Sequence, residues 1–359
     1  MSVHESSRYV SIVILAAMLI GCDEASSMLR NSASMPYAQV YRLDRLHSWM
    51  PEGAKKIPKL LYVASNATTQ ILVYHYKSGA FVGWLNPVNR GVSSIRGLCV
   101  DKVGNVWITE DDNTTGSSVA VEYGHGGSKA LRTFATGGSA IGCSVDPTSG
   151  DLAVANWSTK SGAADLRVFE RSSGIPKDYT IRACSFMASP GYDGDGNLYV
   201  DGQDASGQST VCELPHKGIA MRSVGFNVSI QGPAGAMWDG KYMTLASAYN
   251  YGTYLGKTLI YQMRQDASGN LTEVGRTVLT DKGCPSGEAD VTQPFIVGLR
   301  NTPENRNQGS VVVGGNNGIY CIYRFAFWKY PRGGNPEFAL DNAPELISGQ
   351  AVSIARQEP

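Results

Sequence analysis

The chain has 359 residues, and its 31 Lys and Arg balance 31 Asp and Glu, so the formal net charge is zero. Without a basic excess there is no reason to expect a nucleic-acid partner or binding to an anionic membrane surface. Charged residues make up only 17%, whereas Gly is abundant at 41 residues and Tyr, at 18, outnumbers Phe. This composition is typical of a β-protein with many tight turns.

The N-terminus reads as a targeting segment. Arg8 precedes an apolar run over residues 9–20 that is short for a membrane span and fits the core of a signal peptide. The sequence Leu19-Ile20-Gly21-Cys22 resembles the bacterial lipobox. The resemblance implies a signal peptide at 1–21, a lipid on Cys22 and a bacterial cell-envelope lipoprotein, facing the periplasm or the exterior, that meets the membrane only through its anchor. An ordinary signal peptide with a chance Cys is the alternative.

Residues 22–55 are polar and mixed, which predicts a lipidated Cys followed by a flexible tether. Beyond them an even number of cysteines permits disulfides in an exported protein, with buried free thiols as the alternative. Six cysteines allow 15 pairings, so the sequence leaves the connectivity open. They are Cys99, Cys143, Cys184, Cys212, Cys284 and Cys321.

A recurring unit begins near Lys59. Its marker is a turn glycine followed by an apolar strand, as in Gly104-Asn105-Val106-Trp107-Ile108. The spacings between successive marker glycines are 46, 46, 44 and 69 residues, the last being one period plus an insertion. The marker glycines are Gly104, Gly150, Gly196, Gly240 and Gly309. Four strands in each 40–50 residues are the signature of a β-propeller blade.

The ends of the repeat predict how the ring closes. The first unit lacks a preceding inner strand, and the segment Gly349 to Ala355 reads as that missing strand. One four-stranded sheet cannot bury both of its faces, whereas radially stacked blades bury them against their neighbours. We therefore predict an all-β fold over residues 56–356, a six-bladed β-propeller whose C-terminal strand completes the first blade.

The repeats carry a family resemblance. The stretch Arg96 to Ile108 resembles the NHL-repeat pattern, in which Gly-Leu-apolar-Val-Asp leads to Gly-Asn and an apolar strand, and residues 141–151 repeat it. The resemblance implies a six-bladed propeller of the NHL or SMP-30/gluconolactonase-like kind. Enzymes of the SMP-30 kind hold one divalent cation near the axis and hydrolyse lactones or esters.

Oxygen-bearing side chains recur where each second strand runs into the loop before the third. Such loops gather on one face of a propeller, so we expect these residues at the mouth of the central channel. The candidates for ligand binding are Asn66, Glu110, Asp111, Asn156, Trp157, Asp201, Asp204, Asn250 and Asn316. Glu110, Asn156 and Asp201 are the candidate ligands if the face holds Ca²⁺ or another divalent cation. Ordinary turn chemistry of Asn and Asp is the alternative.

The sequence favours binding over catalysis. It contains no Gly-x-Ser-x-Gly elbow, and Arg96-Gly97 and Ala234-Gly235 stand where SMP-30-like enzymes carry Asn-Gly and Asp-Gly ligand motifs. We expect a monomeric, membrane-anchored module that binds a small molecule, a carbohydrate or a protein at the propeller face. The alternative is a divalent-metal-dependent lactonase or esterase.

Overall fold

The structure is a computed structural model, and the residues it describes lie within Leu46–Pro359. They are residues 47–65, 68–76, 78–88, 91–112, 118–159, 164–171, 173–248, 256–284, 289, 291, 294–297, 311–316, 324–340 and 347–355. The lipidation site predicted at Cys22 lies outside them, as does Cys321. Among the described residues, no helix is long and apolar enough to cross a membrane.

The described chain is almost entirely β-strand. Two short 3-10 helices cover Glu52–Lys56 and Arg182–Cys184. The strands, in chain order, are β1 (Lys59–Ser65), β2 (Gln70–His75), β3 (Phe81–Leu85), β4 (Ser94–Val100), β5 (Val106–Asp111), β6 (Val119–Tyr123), β7 (Ala130–Ala135), β8 (Gly138–Val145), β9 (Leu152–Thr159), β10 (Asp165–Phe169), β11 (Pro176–Tyr179), β12 (Phe186–Tyr192), β13 (Leu198–Gln203), β14 (Ser209–Leu214), β15 (Arg222–Val224), β16 (Pro233–Trp238), β17 (Met243–Ser247), β18 (Thr258–Gln265), β19 (Leu271–Leu279), β20 (Phe295–Val297), β21 (Val311–Asn316), β22 (Arg324–Lys329), β23 (Phe338–Leu340) and β24 (Ile347–Ile354).

These strands form six antiparallel four-stranded sheets. Blade 1 has the order β24-β1-β2-β3, and blades 2 to 6 each take the next four strands in sequence, from β4–β7 to β20–β23. The first strands of the blades touch one another in the order β24, β4, β8, β12, β16, β20 and back to β24. The inner strands therefore form a closed ring, which confirms the predicted six-bladed β-propeller.

The C-terminal strand closes the ring as predicted. β24 pairs antiparallel with β1, with Tyr62 opposite Ala351 and Leu61 opposite Val352. His125, in the turn after β6, reinforces this closure because its Nε2 lies 2.7 Å from the carbonyl oxygen of Ile57 and its Nδ1 lies 2.6 Å from Ser353 Oγ. One side chain of blade 2 thus contacts both ends of the closed propeller.

The core lies between blades rather than within any one of them. One apolar cluster joins Tyr62 of blade 1 to Ile108 of blade 2, and similar clusters fill the next interfaces up to that between blades 5 and 6. Between blades 6 and 1, the ring of Phe327 meets that of Tyr76 edge to face at 5.6 Å. Each sheet therefore buries its faces only because its neighbours cover them.

Two disulfides lie among the described residues. Cys99 is bonded to Cys143, which ties the inner strands of blades 2 and 3 together. Within blade 4, Cys184 of the second 3-10 helix is bonded to Cys212 in β14. Cys284 is also disulfide-bonded. These bonds correct the free-thiol alternative for the five cysteines.

The propeller begins earlier in the chain than the sequence indicated. The sequence predicts a tether that includes residues 47–55, yet Trp49 exchanges two backbone hydrogen bonds of 2.9 Å with Trp84 in β3. Their indole rings pack at 5.4 Å. The segment before β1 therefore extends the outer edge of blade 1.

Candidate ligand-binding site at the channel mouth

The predicted site residues that the structure describes fall in three blades. Glu110 and Asp111 end β5, Asn156 and Trp157 lie near the end of β9, and Asp201 lies in β13. Asn66, Asn250 and the side chain of Asn316 lie outside the described residues. The ligand-binding role of these three residues therefore stays a prediction.

Asp111 is the best-supported of the predicted carboxylates. It is fully buried, and its oxygens accept hydrogen bonds from Ser118 Oγ at 2.9 Å and from Ser139 Oγ at 2.8 Å. The same carboxylate forms an ion pair with Arg96, whose Nε lies 3.4 Å from Asp111 Oδ2. Arg96 Nε also donates to Ser94 Oγ at 3.1 Å. The buried carboxylate of Asp111 thus contacts the Nε side of the partly exposed Arg96 guanidinium.

Trp157 completes the cluster from the neighbouring blade. Its side chain is 48% exposed, and its ring stands edge to face against Phe186 of blade 4, with the centroids 4.5 Å apart. The guanidinium carbon of Arg96 lies 6.0 Å from the centroid of the Trp157 ring, the outer limit of a cation–π contact. Three neighbouring blades therefore contribute to one patch, the channel-mouth cluster of Arg96, Asp111, Trp157 and Phe186.

A β-bulge directs Arg96 to this position. The pairing of β4 with β5 shifts register between Ile95 and Leu98, so Arg96 and Gly97 of the inner strand together oppose the single residue Thr109. Thr109 fills the gap, since its Oγ1 accepts the N–H of Gly97 at 2.7 Å. A Cβ at Gly97 would lie 2.7 Å from the Cα of Gly142 in blade 3, so only glycine fits. Bulges of this kind re-aim side chains at functional sites.

Glu110 points away from the cluster. Adjacent residues of a strand face opposite sides of the sheet, and Glu110 Oε1 accepts the N–H of Val88 at 3.1 Å. Its charge also acts on Tyr123, in the apolar core between blades 1 and 2, where burial raises the tyrosine pKa. The predicted pair Glu110 and Asp111 is therefore divided between two blade interfaces.

The side chain of Asn156 makes its hydrogen bonds inside blade 3. It is fully buried, and its Nδ2 donates to Asp165 Oδ1 at 2.6 Å and to the carbonyl of Thr136 at 3.0 Å. Its Oδ1 has no hydrogen-bond partner among the described residues. Burial raises the pKa of Asp165, and the hydrogen bond from Asn156 opposes that rise. Asn156 thus stabilises a buried carboxylate beneath the exposed Trp157.

Asp201 lies deep between blades 4 and 5. It is fully buried, and Oδ2 accepts the N–H of Gly235 at 2.9 Å while Oδ1 has no hydrogen-bond partner among the described residues. Burial raises its pKa to about 7, although backbone N–H groups oppose the rise. Asp204 lies instead in the turn after β13, where its Oδ1 accepts hydrogen bonds from Ser206 and Gln208. Ligand binding by either residue stays a prediction.

The Asp201 pKa gives a testable dependence of stability on pH. Because the folded-state pKa of about 7 exceeds the ordinary value of 3.8, the folded state binds the proton more tightly, and lowering the pH through 7 stabilises it. We expect Asp201→Asn to remove at least about 1.4 kcal/mol of the stability gained between about pH 8 and about pH 5, as measured by urea unfolding. Asp204→Asn is the control, since hydrogen bonds within its turn, first of all from the Ser206 hydroxyl, lower the pKa of Asp204, and the group stays ionised throughout this pH range. Equal pH slopes for wild type and Asp201→Asn would contradict the assignment.

The described residues do not form a metal cage. No three His, Cys, Asp or Glu side chains in the described part of the chain lie close enough together to hold a metal ion. The charge of Asp111 is already balanced by Arg96, and Glu110 faces a different blade interface. Metal binding by Glu110, Asn156 and Asp201 therefore stays a prediction. The positions of these three side chains do not support it.

A small cavity runs along the inner strands behind the mouth. It has a volume of about 250 Å³, and its walls include Leu98, Val145, Pro190 and Phe295 from four different blades. Ser189, whose backbone N–H opposes the rise in the pKa of Asp201, is among its few polar wall residues. The interior of the ring is therefore mainly apolar, and charge is concentrated at its rim.

Fold and cluster together define a β-propeller with a charged aromatic mouth. The chain is similar to a chain in the crystal structure of a nidogen–laminin complex, with a TM-score of 0.58 and 12% identity over 83% of this chain and 99% of that one. It is also similar to a chain of Kuenenia stuttgartiensis hydrazine synthase, with a TM-score of 0.46 and 12% identity over 75% and 72% of the two chains. No protein-family model and no curated protein sequence match the chain. At 12% identity the likeness to the nidogen–laminin chain concerns the fold alone.

Proposed function

We propose that this protein is a protein-interaction module that captures a segment of a partner at the channel mouth of its propeller. A propeller suits this role because its interlocked blades hold residues from several sheets in fixed positions. The similar chain in the nidogen–laminin structure belongs to a protein–protein complex, which agrees with such a role. The finer NHL or SMP-30-like assignment belongs to the same proposal, and rests on the repeat pattern around Arg96 to Ile108.

The observation that carries the proposal is the exposed indole of Trp157. Tryptophan is among the side chains most enriched at the energetic centres of interfaces. Here its position is fixed by the edge-to-face contact with Phe186, so binding would cost little side-chain entropy. A large apolar ring held rigidly beside a cation at a channel mouth favours recognition over core packing.

The N-terminal sequence supports a location for this module at the bacterial cell envelope. A lipid on Cys22, which lies outside the described residues, would hold the propeller at the bacterial cell envelope, with a monomer presenting its mouth to partners there. Metabolic labelling of the expressed chain with a radioactive fatty acid tests the anchor. Cys22→Ala should abolish that label, and a persistent label would refute the lipobox assignment.

Substitution of Trp157 tests the binding site. Random linear peptides displayed on phage are selected against the full chain, and the affinity of the enriched peptides is measured by calorimetry. We expect Trp157→Ala to weaken them by at least about tenfold, because it removes the central apolar contact. Trp49→Ala is the matched control, since Trp49 is also 48% exposed and packed on another ring, but lies at the edge of blade 1. Enriched peptides that bind Trp157→Ala as tightly as wild type, or no enrichment at all, would refute the proposal.

A further inference from the structure

From the guanidinium at the channel mouth we infer that the captured segment carries an Asp or Glu carboxylate, which pairs with Arg96 while an adjacent apolar side chain packs on Trp157. This inference rests on the proposed function, because it names the chemistry of the ligand bound at the same site. It goes further in assigning the specificity to Arg96, a residue outside the predicted set of binding residues.

The outer end of Arg96 is available for a ligand. Both polar contacts described for its guanidinium are made by Nε, to Ser94 Oγ and to Asp111 Oδ2. Nη1 and Nη2 have no hydrogen-bond partner among the described residues, and the side chain is 33% exposed. Arginine presents its donors as a planar fork that matches a carboxylate, so these two nitrogens form an open bidentate site.

Asp111 positions the arginine without occupying the fork. Its separation of 3.4 Å from Nε is longer than a strong charge-assisted hydrogen bond, and its oxygens already accept hydrogen bonds from Ser118 and Ser139. Glu110 faces Val88 on the other side of the strand. The incoming carboxylate would therefore meet one acid that is already hydrogen-bonded, and a cation whose Nη donors have no partner in the described part of the chain.

Trp157 adds a second requirement. The guanidinium carbon lies 6.0 Å from the indole centroid, so the fork and the ring border the same space at the mouth. A carboxylate in that space would leave its flanking residue against the exposed indole face. The arrangement favours a short acidic and apolar segment over an isolated small anion, because the anion could use only half of the site.

A matched pair of ligands tests the requirement for charge. The tightest Asp- or Glu-containing peptide from the selection is compared with its twin in which that residue is Asn or Gln, using calorimetry on the full chain. We expect the amide twin to bind about 10-fold to 100-fold more weakly, because it loses charge-assisted hydrogen bonds. Enriched peptides without a shared acidic position, or twins of equal affinity, would overturn the inference while leaving the proposed function intact.

Arginine variants then test whether Arg96 is the residue that pairs with the peptide carboxylate. Arg96→Gln should weaken the acidic peptide by a similar factor and should change the affinity of the amide twin by less than about twofold. Arg132→Gln is the matched control, since Arg132 also pairs with an acid, Glu122, and lies 5.2 Å from the ring centroid of Trp107, but that indole is buried. Equal losses for both peptides in Arg96→Gln would overturn the inference. If this variant fails to fold, the peptide pair on the wild-type protein still decides the question.

A uronic-acid oligosaccharide offers the same carboxylate chemistry on a different scaffold. Trigalacturonate is therefore included as a separate probe. No binding of this sugar supports the peptide assignment, whereas tight binding that depends on Arg96, without binding of any peptide, would overturn both the assignment and the proposed protein-interaction function.

Discussion

Removing residues 346–359 should abolish cooperative folding of the propeller. The truncation takes away β24, so Leu60 to Ala64 in β1 lose their inner partner strand, and the inner ring loses the strand that contacts both β4 of blade 2 and β20 of blade 6. The buried residues Ala351, Val352 and Ser353 are lost with it. Because the whole stability of a domain is about 5–15 kcal/mol, the loss of one ring position should exceed it. Circular dichroism should show no cooperative thermal transition.

A shorter truncation provides the control for this prediction. Ending the chain after Ala355 removes residues 356–359 and leaves β24 whole, including the hydrogen bond from the N–H of Ala355 to the carbonyl of Pro58. This variant should melt close to the wild-type temperature. A cooperative transition in the variant that lacks residues 346–359 would contradict the prediction. It would show that five complete blades and a three-stranded blade 1 are sufficient for cooperative folding.

Replacing Cys99 and Cys143 with alanine should lower the free energy of unfolding by about 4 kcal/mol. The bond closes a span of 44 residues, and cross-linking a chain over that length removes about this much conformational entropy from the unfolded state. It also joins two inner strands, where the ring depends on contact between blades. Urea unfolding of the double variant, monitored by circular dichroism, measures the loss.

The second disulfide serves as the comparison. Cys184 and Cys212 close a span of 28 residues inside one blade, so the same entropy argument predicts a slightly smaller loss when both become alanine. A loss below about 1 kcal/mol for the Cys99 and Cys143 pair would contradict the entropic account.

Most of the fold could be predicted because burial in a propeller has to follow the repeat. Gly104, Gly150, Gly196 and Gly240 all have positive φ angles, between 80° and 97°, in the turns before second strands, as their spacing indicated. The period also predicted the closing strand, since a blade without an inner strand cannot cover its neighbour. The number of cysteines alone allows 15 pairings and does not single out the Cys99–Cys143 bond, although a separation of about one repeat places both cysteines on adjacent inner strands.

The site was predictable only in part. Asp111 and Trp157 lie in the channel-mouth cluster, but Arg96 was read as part of a structural motif because nothing in the sequence marks the register shift beside it. Its one signal is an arginine before glycine at the place where the SMP-30-like enzymes, which the repeat pattern resembles, carry Asn-Gly or Asp-Gly. Asp204 illustrates the opposite difficulty, since the same spacing suits a mouth residue and an aspartate that bonds its own turn.

In the bulge, Gly97 serves the packing of the blades, whereas the neighbouring Arg96 serves the proposed ligand binding. Gly97 and Thr109 are fixed by backbone contacts, so mutation there would disturb two blades at once. Position 96 carries no such backbone constraint, because its side chain leaves the sheet, but its guanidinium balances the charge of the buried Asp111. During evolution, exchange of Arg96 together with Asp111 would therefore change the ligand preference of the proposed site without a new fold having to arise.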